Sequence, residues 1–98
     1  MQRFLCLHTL PAGSMTKDQV YQIADAVQHD ARVHGYRSFL NLSEGKGCCI
    51  LEANDRETIA SWFQMMGIPY DCIVPVELEG ERGVIEDLRE SLAPAGVA

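Results

Sequence analysis

The chain has 98 residues, 47% of them hydrophobic and 22% charged, with a formal net charge of -6. That length suits one domain, and eight Lys plus Arg against fourteen Asp plus Glu leave no basic stripe to displace counterions from a phosphate backbone, so neither nucleic acid nor an anionic membrane surface is an expected partner. No stretch approaches the ~20 apolar residues of a membrane span and MQRFLCLHTLP reads without a secretion signal, so a cytoplasmic location with reduced thiols is expected for Cys6, Cys48, Cys49 and Cys72.

The first predicted element is a strand over 2–10, stopped by Pro11, Ala12 and Gly13. A capping box of Thr16 and Gln19 opens a helix over 16–34, with Val20, Ile23, Ala24, Val27 and Ala31 on its apolar stripe, His34 in its last turn and Gly35 as its stop. Strands over 36–42 and 47–53, joined through Ser43, Glu44, Gly45, Lys46 and Gly47, read as a hairpin, because so short a turn permits only antiparallel pairing. Asn54 and Glu57 signal a second helix over 55–66, with Ile59, Trp62, Phe63 and Met66 on one face and Gly67 at its end. A last strand covers 72–78. The extension 79–98 is read as separate from the domain 1–78, with Val84, Ile85, Leu88 and Leu92 at the spacing of a short C-terminal helix.

This order predicts an α+β ferredoxin-like βαββαβ fold, a four-stranded antiparallel sheet with two helices on one face. The first and third strands carry apolar residues at both parities, so both faces of the sheet need covering. A homodimer of the dimeric α+β barrel type, enclosing a cavity against the second face, would supply the cover. Leu5, Leu7, Cys49 and Leu51 are expected toward the helices, leaving Phe4, Cys6, His8, Cys48, Ile50 and Glu52 on the opposite face.

Cys6, His8, Cys48 and Glu52 are therefore the candidate ligand-binding set, and His8 with Cys6 the candidate metal pair, since thiolate and imidazole suit nickel or zinc. Against this stands the tendency of free cysteine to serve as a small core hydrophobe. Cys48 and Cys49 are adjacent on a strand and point to opposite faces. No CxxC is present, and no serine, histidine and carboxylate arrangement marks a nucleophile. The expected function is a small non-catalytic binding protein for a divalent metal or small ligand. The alternatives are a cofactor-independent isomerase or monooxygenase-like enzyme using His8 and Glu52, and a regulatory or interaction module.

The segments HTLPAG, TKDQV, HGYR and CCILEANDRETIASWFQMMGIP resemble a family of small bacterial ferredoxin-like proteins of nickel-binding type, over about the first 78 residues. The resemblance implies a ferredoxin-like dimer, a possible divalent metal and no established reaction. It places Cys49, Glu52, Ala53 and Asp55 on the family's cysteine, acidic and helix-start pattern, and His8 at its first-strand polar position. Where metal-binding members tend to carry helix histidines, this chain has Ala24 and Phe63.

Overall fold

The structure, a computed structural model, describes residues 1–89. Its elements are β1 (Gln2–Thr9), α1 (Lys17–Gln28), β2 (His34–Asn41), β3 (Lys46–Ala53), α2 (Arg56–Met66), β4 (Cys72–Pro75), β5 (Leu78–Glu81) and β6 (Val84–Asp87). The first four strands form one sheet in the order β2-β3-β1-β4, with every neighbouring pair antiparallel. That order is the ferredoxin-like plait, an α+β fold. The two strands richest in apolar residues, β1 and β3, take its centre.

Thr16 caps α1 as its capping box places it, but the Asn54 cap expected for α2 is corrected: the N-cap is Asp55, one residue later. In α1 the Thr16 hydroxyl accepts the Gln19 backbone N–H at 3.2 Å while the Gln19 side-chain Oε1 accepts the Thr16 backbone N–H at 2.8 Å. In α2 the Asp55 carboxylate accepts the Thr58 N–H at 2.8 Å, and Gly67 closes the helix in the left-handed region at φ 71°. The expected length of α1 is corrected: it stops at Gln28. Asp30 competes for the backbone there, accepting the Arg32 N–H at 2.8 Å and pairing with the Arg32 guanidinium at 3.1 Å. The chain turns, buries Val33 completely and enters β2 at His34. Gly35 is thus a strand residue, and a Cβ at this position would lie 3.0 Å from Val27 Cγ1. Its role is to let α1 approach β2.

The face assignment of β1 is also corrected. Phe4 pairs with Leu51 and Cys6 with Cys49, and cross-strand partners share a face. Phe4, Cys6, Leu51, Ala53, Ile59, Trp62, Phe63 and Ile73 form the core under the helices, with Cys49 packed against it. Leu5 and Leu7 therefore point outward. Either parity of β1 offers an apolar row, and its register with β3 selects the one that contains Phe4.

The tail differs most from expectation. β4 ends at Pro75, and β5 and β6 form a separate two-stranded hairpin. Arg82 at φ 50° and Gly83 at φ 83° make the tight turn that the right-handed strand twist favours. Val84 and Ile85, expected on a helix, lie on β6, and among the described residues helical backbone in the tail begins at Leu88. Leu92 falls outside the described residues. The Leu88 N–H donates to the Glu77 carbonyl at 2.9 Å, closing the open end of the hairpin, and the hairpin is tied back to the sheet through Arg3, which reaches Glu52 at 3.1 Å and Glu79 at 3.2 Å.

Candidate functional site

The sheet separates the four predicted site residues into two pairs. Cys6 and His8 lie on the inner face, whereas Cys48 and Glu52 alternate with the inward Cys49 and Leu51 and so lie on the outer one. Glu52 accepts a hydrogen bond from Arg3 Nε at 3.1 Å, at the root of the hairpin. The inner pair does not converge with the outer, and His8 and Glu52 are no acid–base couple. Among the described residues no group of three or more His, Cys, Asp and Glu side chains is arranged to hold a metal ion.

His8 is the notable member. It is the only buried polar or charged side chain among the described residues, at 7% exposure. Its Nδ1 lies 2.7 Å from the Pro69 carbonyl oxygen, and because a carbonyl only accepts, Nδ1 carries the proton. In the neutral ring Nε2 is then a bare lone pair, and it is buried without a hydrogen-bond partner. Leaving such an atom unpaired costs about 1–3 kcal/mol. The Phe63 ring, edge-on at a centroid distance of 5.0 Å, completes the fixation of the imidazole.

Beside His8 lies a cavity of about 380 Å³, between α1 and the inner faces of β2 and β3. Its origin is the unequal packing of the two helices. α2 buries Ile59, Trp62 and Phe63, but α1 buries only Val27, so Val20, Ile23 and Ala24 front a space that Leu40, Leu51, Trp62 and Phe63 close from the sheet and from α2. Gly47, opposite His8 in the ladder, keeps that space clear: a Cβ there would meet Leu40 Cδ2 at 2.9 Å and His8 Cβ at 3.7 Å. Tyr21 and Leu40, both exposed, flank the opening. Sequence reasoning missed this cavity, because the α1 stripe that signals a packed helix looks the same when the helix stands off from the sheet.

Thiol chemistry is subdued on the inner face. Burial pushes the Cys6 thiol up to about 12, with Cys49, Cys48 and Cys72 adding to the effect, and the Cys6 thiol lies 3.9 Å from the Phe4 carbonyl oxygen. Burial likewise raises Cys49, partly offset by the Ser38 hydroxyl. All four cysteines are free. At neutral pH Cys6 is a protonated core thiol and a weak metal ligand.

The fold and this cavity can be set beside known proteins. The family described as nickel responsive protein SCO4226-like matches residues 4–76. The chain belongs to that family. The solved structure of SCO4226 from Streptomyces coelicolor A3(2) is similar to it at 28% identity and a TM-score of 0.66, covering 80% of this chain and 99% of that one. No curated protein matches. The SCO4226-like match takes in both helices and the four-stranded sheet from the third residue of β1 onward, and it ends before the β5–β6 hairpin. His8, Ala24 and Phe63, the positions at which the family resemblance implied metal ligands, all line the same cavity. Only the first offers a donor. No helix among the described residues is long and apolar enough to cross a membrane.

Proposed function

We propose that this chain is a small, dimeric, non-catalytic binding protein whose ligand occupies the cavity beside His8. The observation that carries this reading is the buried imidazole, fixed through Nδ1 and unpaired at Nε2, in the wall of a largely apolar space of ligand size. The wall is mostly apolar, with His8 joined along the lining by Gln28, Arg37, Ser38, Asn41 and Lys46, and such a wall orients a ligand. It does not assemble a general acid, a base and a nucleophile, and Glu52 lies across the sheet from it.

Nickel is the second reading, favoured by the description of the family as nickel responsive. The chemistry of the donors fits a resident ion incompletely. His8 Nε2 would serve as a nitrogen ligand with its Nδ1–H already held by a carbonyl, but Ala24 and Phe63 bring no donor and Cys6 is protonated. A nickel or zinc ion at His8 would need its other ligands from outside this set.

The outer sheet face supports self-association. Leu5, Leu7, Ile50 and Val74 sit there beside Cys48 and Cys72, and Phe39 extends the patch on β2. A second copy would cover it. The free thiols are in keeping with a cytoplasmic setting.

Thermal unfolding of the wild type and of Ala24→Trp, which fills the cavity from the exposed side of α1, tests the reading against a panel of small apolar compounds and nickel chloride. Compounds that bind the cavity should raise the wild-type Tm and lose most of that effect in the variant. A nickel-induced shift abolished by His8→Ala would favour the second reading, and a wild type that no compound stabilises would sink the first.

A further inference from the structure

The two edges of the four-stranded sheet are built differently. β4 offers four residues and ends on Pro75, which has no N–H to give a further strand. β2 is twice as long, contains no proline, and all eight of its residues are exposed. Which of its backbone groups are free follows from the ladder. The Val76 N–H donates to the Arg3 carbonyl oxygen at 3.0 Å and the Leu10 N–H to the Gly45 carbonyl oxygen at 2.8 Å, so Arg3, Leu5 and Leu7 bond β4 while Phe4, Cys6 and His8 bond β3. β3 therefore meets β1 through Gly47, Cys49 and Leu51, and meets β2 through Cys48 and Ile50, which face Phe39 and Arg37. The N–H and C=O of Ser38 and Leu40 are left pointing out of the sheet. A bulge between Gly35 and Arg37 limits this regular edge to residues 37–41.

Those five residues are complementary to themselves. Set antiparallel to a second copy about a two-fold axis at Phe39, they place Ser38 opposite the partner's Leu40, and the four outward backbone groups of each strand are all satisfied. Phe39 then faces the partner's Phe39 in a non-hydrogen-bonded pair, where side chains come closest, and Arg37 faces the partner's Asn41 rather than a like charge. Charge favours an approach at this place: the chain has fourteen Asp plus Glu, and β2 carries none. We infer that β2 is a self-pairing edge through which two copies join their sheets into one of eight strands. Leu40 flanks the cavity opening and lies at the seam, so each cavity is bordered by the other copy. The pairing uses the edge and not the outer face, and it holds whatever the cavity binds. Five residues of strand bury less than the roughly 1,200 Å² of a stable interface, so it is a weak contact that forms at millimolar protein.

Amide hydrogen exchange followed by NMR at micromolar and at millimolar protein tests the pairing. In the wild type the Ser38 and Leu40 amides should exchange fast at the lower concentration and slow several-fold at the higher, whereas those of Arg37 and Phe39, already bonded to β3, should not change. Ser38→Pro removes an outward N–H without touching the bonds to β3, and the protection gained at Leu40 should be lost in it. A second readout needs no variant: in a millimolar mixture of labelled and unlabelled protein, Phe39 Hα should show a contact to the Hα of the partner's Phe39. Amides that exchange alike at both concentrations, or no such contact, would overturn the inference while leaving the outer-face dimer and the cavity as they stand. Protection at Leu40 that is complete at micromolar protein, or that survives in Ser38→Pro, would assign the edge to another partner and overturn it too.

Discussion

Asp55 illustrates how one side chain sets both an element and its response to pH. Its carboxylate accepts the Thr58 N–H at 2.8 Å and the Thr58 hydroxyl at 2.7 Å, and these bonds hold it below the usual aspartate range. A carboxyl depressed in the folded state adds stability that is fully present above its unfolded value, about 3.9, and is lost as pH falls through the lower folded value. Asp55→Ala should therefore lower the Tm most near neutral pH, and the gap to wild type should narrow as the pH is taken below about 3.9. Thermal melts of both proteins at pH 7, 4.5 and 3 make the check, and a gap that stays constant would assign the effect to something other than the charged cap. His8 gives the contrasting case. Its place on an apolar strand was legible, but the carbonyl that fixes its tautomer comes from Pro69, sixty-one positions away in the chain.

Among the elements, the β5–β6 hairpin meets the sheet through two cations, Arg3 and, 4.0 Å from Glu81, Arg37. Arg3 bonds Glu52 and Glu79, lies 3.9 Å from Glu86 and stacks over the Tyr36 ring at 4.0 Å, while the Tyr36 hydroxyl donates to Glu79. Burial works against the Arg3 charge, but Glu52 and Glu79 outweigh it and raise its pKa. Arg3→Ala would leave those carboxylates facing one another, and should cost roughly 1 kcal/mol of global stability with a larger local effect. Hydrogen exchange is the suitable probe: amides of β5 and β6 should lose protection while those of α2 keep theirs. Uniform loss across the chain would mean that the cluster supports the whole domain rather than the hairpin. This element was misread from sequence for an identifiable reason. Val84, Ile85 and Leu88 satisfy helical spacing, but Gly83 after Arg82 is a two-residue hairpin turn, and the acidic run from Glu77 to Glu81 that reads as a solvated tail contains Arg3's partner Glu79.

For the whole molecule, the outer sheet face leaves Leu7, Val74 and Phe39 exposed. Leu7 is central to it, opposite Cys48 on one side and Cys72 on the other. Leu7→Glu would place like charges across a two-fold interface and should convert a wild-type dimer to a monomer in light scattering at micromolar concentration, with far-UV circular dichroism unchanged. A wild type that is itself monomeric under those conditions would remove the dimer from the proposed function.

Local signals determined much of this protein. Thr16 with Gln19 starts α1, a capping residue at the head of α2 marks its start although Asp55 and not Asn54 takes that place, Gly67 ends α2, and the short turn at Gly45 enforces the hairpin, where a Cβ would collide with the Leu10 carbonyl oxygen. Each acts within a few residues of itself or through a conformation only glycine adopts easily, so each can be read along the chain. Only the tertiary structure decided which face of β1 is buried, because Leu5 and Leu7 match Phe4 and Cys6 in polarity and the choice falls to pairing with β3 and β4. It likewise decided that Cys6 and His8 part company with Cys48 and Glu52, and that α1 stands off far enough to leave a cavity. Strand parity fixes which residues travel together, whereas direction and spacing are set by what the opposite layer can fill.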